Sequence, residues 1–294
     1  MLVQVDGSPH DWLEGRGPRL CLIGGCDDAT SKVLDLRFHP SESQDAYLTL
    51  FRSIAVNHGL PMAFYHDRHT VLRSPKEATI EDELAGRKPM SQVQRVLNEL
   101  GVESIAALSP QAKGRIERLW KTLQDRLVKE MRLAQITTMA EANAFLPTFM
   151  ERFTARFATP AAESETVWVE LPDDFDLVRH FSIREFRVVK PDQTIQTISY
   201  LGRTFQLTEK ASFARQTVTV HVTPEGEVAV YLDTTTNTVR LSCQEIKKQK
   251  QEEAPRASGT KEKSEVTTAN LPKSASAKQR GWLYGGNPGY GART

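Results

Sequence analysis

The order of hydrophobic patterns along the first 158 residues restricts the fold of this chain more than any other feature. Strand patterns occupy residues 2–6, 19–25, 32–38, 62–67 and 102–108. Helix patterns begin at Pro40-Ser41-Glu42-Ser43, which precede apolar residues at helical spacing up to Gly59, and recur at 91–100, 109–133 and 138–157. Three strands in succession, followed by strands that alternate with helices, predict one α/β domain with apolar helix stripes facing its core.

The composition changes after residue 158, which predicts further modules. Residues 159–182 are expected to form a linker. Residues 183–246 contain several short strand patterns separated by turns, which predicts a small all-β barrel. Residues 247–294 contain ten Lys and Arg against four Glu and few apolar residues, so we expect a disordered basic tail. Such a tail fits a polyanion partner and a merely solvated chain end equally well.

The bulk composition excludes several classes of protein. No segment approaches eighteen consecutive apolar residues, and the amino terminus lacks a basic and then apolar leader, so we predict no membrane segment and a cytoplasmic location. The three cysteines form no pair at zinc-binding spacing. A disulfide framework and a structural zinc site are therefore not expected.

Three acidic residues lie at positions where a carboxylate has a chemical use. Asp6 lies on the first predicted strand, Asp67 ends the fourth, and Glu117 lies in the first turns of the helix 109–133. A carboxylate at the end of an apolar strand is costly unless it faces water or a cation. If the three converge, they form an oxygen-ligand site suited to Mg²⁺ or Mn²⁺. Two such ions, roughly 4 Å apart, can activate the attacking oxygen and stabilise the leaving oxygen of a phosphodiester.

The helix that carries Glu117 is unusually basic. Lys113, Glu117, Lys121 and Gln124 follow one another at offsets of four, four and three, so they form one polar stripe. A metal-binding Glu between two lysines is reasonable if a phosphate backbone lies across the helix. The alternative interpretation is that both lysines are ordinary solvated helix charges.

These motifs together resemble the catalytic core of the DDE transposases and retroviral-type integrases. The third motif carries most of the resemblance, as Ser109-Pro110-Gln111-Ala112-Lys113-Gly114-Arg115-Ile116-Glu117-Arg118 and then Thr122-Leu123-Gln124. The VDGS sequence around Asp6 and the YHDR sequence around Asp67 occur in the expected order. The resemblance covers residues 1–158. It implies a ribonuclease H-like fold, with a mixed five-stranded sheet flanked by helices, and an SH3-like barrel after it.

The resemblance also implies a function and a set of site residues. Asp6, Asp67 and Glu117 are the expected catalytic and metal-binding residues, with two Mg²⁺ or Mn²⁺ ions. The expected DNA-binding residues are Lys113, Arg115, Lys121 and Gln124. The implied reaction is nicking and strand transfer at insertion-sequence ends. The implied partners are double-stranded transposon-end and target DNA and further copies of the chain, in the bacterial cytoplasm at the nucleoid. The barrel is expected either to contact DNA or to serve folding or oligomerisation.

Two other functions remain open. The family's amino-terminal helix-turn-helix is missing from this sequence, which opens inside a strand, so we expect the carboxy-terminal portion of a longer transposase. Such a portion could be a non-catalytic DNA-binding or assembly remnant. A ribonuclease H-like nuclease acting on RNA–DNA hybrids would share the fold, but the form of the third motif favours a transposase. His10, His66 and His69 are expected in plain hydrogen-bonding roles, and Trp120 in the core.

Overall fold

The computed structural model describes residues 1–67, 90–107, 114–162, 167–192 and 195–246. Several sequence predictions fall outside these ranges. They concern the segment after Asp67 with His69, the start of the third motif with Lys113, and the tail 247–294.

One mixed sheet forms the centre of the first module, with strands in the order β3-β2-β1-β4-β5. The strands are β1 Leu2–His10, β2 Leu20–Asp27, β3 Val33–His39, β4 Ala63–His66 and β5 Glu103–Ala106. Strands β1, β2 and β3 pair antiparallel, whereas β4 pairs parallel with β1 and β5 parallel with β4. The predicted mixed five-stranded sheet is therefore confirmed, and β1 runs four residues further than its sequence pattern predicted.

Four helices accompany this sheet: α1 Gln44–His58, α2 Gln92–Glu99, α3 Gly114–Leu133 and α4 Met139–Phe157. Their starts follow from capping residues, because Ser43, Ser91 and Thr138 each accept a hydrogen bond from a backbone N–H of the first turn. Ser91 and Thr138 form complete capping boxes with the residue three positions later. Among the described helices, none combines the length and the apolar character needed to cross a membrane.

The sheet separates two hydrophobic cores. Successive side chains of a strand point to opposite faces, and β1 shows this directly. Val3 and Val5 join the core that includes α1 and α2, whereas Gln4, Asp6 and Ser8 contact α3 on the other face. The predicted apolar stripes are confirmed as core faces. The buried members are Ile116, Leu119, Trp120, Leu123, Leu127 and Met131 on α3, with Phe149 and Phe153 on α4.

The chain from 167 to 183, most of it in the predicted linker, packs on the α1–α2 core. Phe181 is fully buried there, and Trp168, Leu171, Phe175 and Leu177 pack around it. Val169 and Leu60 exchange two backbone hydrogen bonds of 2.8 and 3.0 Å. This segment, which includes the short helix α5 Leu177–His180, therefore adds a layer to the first module.

The second module is all β, as predicted. Its strands are β6 Ile183–Val188, β7 Lys190–Asp192, β8 Ile195–Tyr200, β9 Arg203–Leu207, β10 Thr217–Val222, β11 Val228–Asp233, β12 Thr238–Leu241 and β13 Cys243–Ile246. They form two antiparallel four-stranded sheets, ordered β12-β11-β10-β6 and β13-β9-β8-β7. Both sheets contribute to one apolar core, with Ile198, Phe205, Val220 and Val230 at its centre. Closure into an SH3-like barrel remains a prediction.

A buried arginine connects the two modules. Arg95 of α2 donates a 2.6 Å hydrogen bond to the carbonyl of Ser182, just before β6, and forms a 2.7 Å ion pair with Glu99. Burial lowers the pKa of Arg95 to about 10, against the opposite effect of Glu99. Glu99 also pairs with Arg184 at 3.1 Å, and Gln92 exchanges two hydrogen bonds with the backbone of Arg184. Helix α2 thereby fixes the start of the second module.

Candidate active site

Asp6 and Asp67 lie at the same level of two adjacent parallel strands. The register of β1 and β4 pairs Gln4 with Tyr65, and each aspartate comes two residues later. Both side chains are half-buried. Asp6 has the more central place, because β1 is the middle strand of the sheet and β2 covers its other edge. The sheet thus brings the first two predicted ligands to one place.

Trp120 of α3, the helix that packs across β1, holds the carboxylate of Asp6 in place. The indole Nε1 donates a 3.0 Å hydrogen bond to Oδ2 of Asp6, and the ring is otherwise buried in the core. Gly24, which pairs with Asp6 across β1 and β2, makes room for the ring. A Cβ at Gly24 would lie 3.0 Å from Cη2 of Trp120 and 2.4 Å from Cδ2 of Leu36. Trp120 was predicted only as a core residue, and its bond to Asp6 is an additional role.

Three polar contacts align α3 along β1. The Ile116 N–H donates to Oε1 of Gln4 at 3.1 Å, and Gln124 donates to Oγ of Ser8 at 3.1 Å. The bond from Trp120 to Asp6 lies between them. The spacing is two residues on the strand and four on the helix, so the same faces stay in contact over three steps. The bond to Gln4 also satisfies one of the backbone N–H groups that lack a partner at a helix start.

Glu117 is exposed on α3, three residues before Trp120. It follows Ile116 directly, so its position along β1 lies between the levels of Gln4 and Asp6. The donor chemistry of Asp6, Asp67 and Glu117 fits Mg²⁺ or Mn²⁺, because all three are carboxylates with access to solvent. Within the described part of the chain, however, no three His, Cys, Asp or Glu residues are grouped closely enough to hold a metal ion.

Glu42 is a fourth carboxylate near this place, and the sequence interpretation missed it. The Tyr47 hydroxyl donates a 2.6 Å hydrogen bond to Oε1 of Glu42. A Cβ at Gly7, next to Asp6, would lie 2.9 Å from Cδ of Glu42. Burial strongly raises the pKa of Tyr47, and the negative charges of Glu42, Asp6 and Asp67 act in the same direction. In the sequence Glu42 appeared only as part of a helix start, and the glycine after Asp6 was the one available signal.

Cys21 is a buried thiol whose pKa is affected by two of these carboxylates. Burial, followed by the negative charges of Glu42 and Asp6, raises its pKa to about 12. Cys21 therefore stays a neutral thiol near pH 7, and a thiolate nucleophile at this position is disfavoured.

The predicted DNA-binding residues have different environments. Arg115 donates a 3.0 Å hydrogen bond to Oγ of Ser31 and lies 3.6 Å from Asp28, so it is attached to the β2–β3 turn. Lys121 is exposed on α3, and Gln124 is engaged with Ser8. Of Arg115, Lys121 and Gln124, Lys121 is therefore the most exposed to solvent.

The histidines near the site have structural contacts. His66 is buried, and its Nε2 lies 2.8 Å from Oγ of Ser104 while its Nδ1 contacts the carbonyl of Asp67. Those contacts hold the end of β4 against β5 and fix the backbone that presents Asp67. His10 packs edge-on against the Trp12 ring, with the ring centres 5.3 Å apart.

Sequence comparison gives two curated relatives. Putative transposase y4bF of Sinorhizobium fredii (strain NBRC 101917 / NGR234) is 46% identical over 164 residues, which are 56% of this chain and 35% of that protein. The transposase for insertion sequence IS1202 of Streptococcus pneumoniae is 33% identical over 174 residues, which are 58% of this chain and 36% of that protein. This chain thus matches about a third of the length of each relative. No family model matches the chain.

Two integrase catalytic cores and one intasome are among the solved structures with similarity to this chain. The catalytic core domain of BIV integrase covers 49% of this chain and 78% of that chain, with 14% identity and a TM-score of 0.33. The HTLV-2 integrase catalytic core domain in complex with magnesium covers 49% and 79%, with 13% identity and a TM-score of 0.36. The simian T-cell lymphotropic virus intasome covers 82% and 75%, with 13% identity and a TM-score of 0.39.

The sequence matches agree with the resemblance that the acidic motifs carry. They extend over more than half of the chain, and both relatives have the same kind of name. The mixed sheet agrees with the fold that the resemblance implies. Over the matched residues, which are more than half of its length, this chain is similar to two transposases.

Proposed function

We propose that this chain carries the catalytic core of a DNA transposase that nicks DNA at insertion-sequence ends and joins the freed ends to target DNA. The observation that supports this proposal most is that Asp6 and Asp67 occupy equivalent positions on adjacent parallel strands, while Trp120 holds α3 against β1. The transposases to which the chain is similar support the same reaction class.

In this proposal Asp6, Asp67 and Glu117 hold two divalent cations, Mg²⁺ or Mn²⁺. When bound, these cations supply activation of the attacking oxygen and stabilisation of the leaving oxygen. Water is the nucleophile for nicking, and the 3′-hydroxyl that nicking frees is the nucleophile for joining. No covalent bond between protein and DNA forms at either step.

The other residues position the substrate and the carboxylates. Trp120 orients one oxygen of Asp6, and the contact of Gln4 with the Ile116 N–H holds the first turn of α3, on which Glu117 lies. Lys121, together with Lys113, neutralises phosphate charge along the polar stripe of the helix, and Arg115 and Gln124 contribute DNA contacts at its edges. The carboxylates are partly or fully exposed, which gives DNA access to them.

The partners in this proposal are double-stranded transposon-end and target DNA and further copies of the chain, at the bacterial nucleoid. A nicking and joining assay tests the reaction. The substrates are duplexes copied from the DNA that flanks the gene, with Mg²⁺, Mn²⁺ or EDTA present. The proposal expects nicks and joined products with either cation and none with EDTA.

Glu117→Gln is the decisive variant. It removes one carboxylate charge without changing side-chain volume, so we expect nicking and joining to fall by at least about a hundredfold while DNA binding persists. Asp125→Asn is a matched control, because Asp125 is an exposed acid of the same helix that pairs with Lys129. Full joining by Glu117→Gln, or equal losses in both variants, would remove Glu117 from the mechanism.

A further inference from the structure

Two cavities beside α3 and α4 share only Arg115 with the DNA contacts proposed above. One cavity of about 160 Å³ is lined by Cys26, Ser31, Arg115, Arg118, Leu119, Thr122, Phe153 and Phe157. A second, of about 220 Å³, is lined by Arg126, Glu130, Phe149, Arg152, Phe153, Arg156 and Phe157. The two cavities share Phe153 and Phe157 and therefore adjoin, and together we call them the α3–α4 groove.

Two arginine side chains of the groove lie close to one aromatic ring. The guanidinium carbons of Arg126 and Arg156 lie 4.9 and 5.6 Å from the centre of the same ring, that of Phe157. Cation–π attraction holds each arginine in place, but it does not remove the repulsion between two like charges that meet at one ring. An anion bound in the cavity that both arginines line would reduce that repulsion.

The carboxylates of the groove are already engaged. Glu130 pairs with Arg152 at 2.7 Å, and Asp28, at its edge, lies 3.6 Å from Arg115. Among the ion pairs that the structure describes, none within 4 Å involves Arg118, Arg126 or Arg156. Counted over the described side chains alone, five arginines stand against Glu130 and Asp28, which leaves an excess of three positive charges.

The arrangement suits phosphate oxygens spaced along a line. Arg118 and Arg126 are eight residues apart on α3, or about 12 Å at the rise of an α-helix. Guanidinium groups donate several hydrogen bonds in a planar fork that matches phosphate. The buried Cys26 does not compete as an anion, because burial and then the charges of Asp28 and Asp27 raise its pKa to about 12.

We propose that the α3–α4 groove binds the phosphate backbone of a DNA segment, beside the helix surface that carries Glu117. Arg115 and Arg118 flank Glu117 in the sequence, so the groove begins at the same end of α3 as the candidate active site. This inference rests on the proposed DNA function and adds a second contact track to it. A row of cations about 12 Å long favours a repeating polyanion over a single carboxylate of a protein partner.

The double variant Arg126→Ala/Arg156→Ala tests the inference, with the charge-preserving Arg126→Lys/Arg156→Lys beside it. The probe is a fluorescent 30-base-pair duplex, and anisotropy gives its affinity at several salt concentrations. Each lost phosphate contact reduces the slope of log K against log salt by about 0.9, so the alanine variant should lose about 2 in slope and roughly tenfold or more in affinity. The lysine variant should keep most of the slope.

Arg37→Ala/Arg52→Ala is the matched control for the loss of two charges, because both residues line a separate surface cavity with Glu225. We expect this control to change the slope much less than the groove variant. Thermal unfolding of every variant checks that each is folded at the assay temperature.

Three results would overturn the inference. The first is that the wild-type chain does not bind the duplex. The second is that the folded alanine variant and the wild type have equal slopes. The third is that the alanine variant differs from the wild type in molecular mass without DNA, measured by light scattering, which would indicate that the groove binds a protein partner. The outcome is separable from that of the proposed reaction. If Mg²⁺-dependent nicking occurs but the slopes are equal, only the groove inference fails. If nicking is absent but the slope falls, only the catalytic proposal fails.

Discussion

The indole nitrogen of Trp120 and Oδ2 of Asp6 are joined by a 3.0 Å hydrogen bond that crosses from α3 to the central strand. The bond connects residues 114 positions apart and fixes one carboxylate oxygen of Asp6. Glu117 lies on the same helix, nearly one turn before Trp120. We therefore expect a substitution of Trp120 to alter the position of Asp6 relative to Glu117 while both carboxylates are retained.

Trp120→Phe removes this donor and keeps an aromatic ring in the core. A hydrogen bond to a charged group contributes about 1.5–3 kcal/mol, so we expect a measurable loss of unfolding free energy. We also expect single-turnover nicking to slow by about tenfold or more, with little change in DNA affinity. Urea unfolding and a quenched nicking assay measure the two effects.

Trp12→Phe controls for the loss of an indole from the same core. Trp12 is fully buried, and its Nε1 donates to the carbonyl of Ser8 at 2.9 Å. The Trp12→Phe variant should lose a similar amount of unfolding free energy but retain most of the nicking rate. If both variants slow nicking equally, Trp120 has only a packing role.

Gly24→Ala should disturb the same pair from the opposite side. The added Cβ would lie 2.4 Å from Cδ2 of Leu36 and 3.0 Å from Cη2 of Trp120, closer than side chains can approach without a shift. Overpacking of this kind costs about 1–3 kcal/mol, and we expect a lower melting temperature with altered tryptophan fluorescence. Gly114→Ala is the control, because nothing lies within 4 Å of its Cβ position. An unchanged melting temperature for Gly24→Ala would contradict this packing.

Stability should fall as the pH drops from about 7 towards 4, because of His221. Burial and then the charge of Arg95 lower its pKa to about 4, against the hydrogen bond with the Arg179 carbonyl. Arg184 also lowers this pKa, and Asp233 raises it. The unfolded chain binds a proton below about pH 6.5 and the folded chain does not, so the difference reaches about 3 kcal/mol.

Urea unfolding at several pH values measures this dependence. His221→Gln should flatten it between pH 6.5 and 4, whereas replacement of the exposed His10 by Gln should leave it unchanged. Unchanged pH dependence in His221→Gln would assign the acid sensitivity to other groups.

Arg95→Met should weaken the connection between the modules. The variant removes a buried cation and leaves the Ser182 carbonyl without its donor, which costs about 1–3 kcal/mol, while Glu99 keeps its pair with Arg184. We expect loss of cooperativity or a large drop in unfolding free energy by calorimetry. Arg240→Met is the control, because its 3.4 Å pair with Glu227 is exposed and should contribute less than about 1 kcal/mol. Equal effects would contradict the role of Arg95.

Much of the fold was predictable because it depends on local patterns. Strand alternation, helical spacing and the caps Ser43, Ser91 and Thr138 are encoded within a few residues of each element. The extension of β1 to His10 was missed because it depends on pairing with Leu20 of β2.

The site was predictable only in part. Asp6, Asp67 and Glu117 were chosen from motifs, and the level placement of the two aspartates follows from parallel pairing of β1 with β4. The contact of Trp120 with Asp6 and the approach of Glu42 to Gly7 depend on side-chain packing between distant elements. No local pattern records which buried ring turns its nitrogen towards a carboxylate.

The packed segment from 167 to 183 restricts how this protein can be rebuilt from parts. A chimera cut directly after α4 would leave Phe181 and its apolar neighbours without the α1–α2 surface that buries them, and Arg95 without the carbonyl it binds. A cut at the start of β6 keeps residues 167–182 with the first module. It separates the sheet of the first module from the two sheets of the second, and it leaves the packing on α1 and α2 intact. Exchange of the all-β module among relatives should therefore succeed at the start of β6 and fail directly after α4.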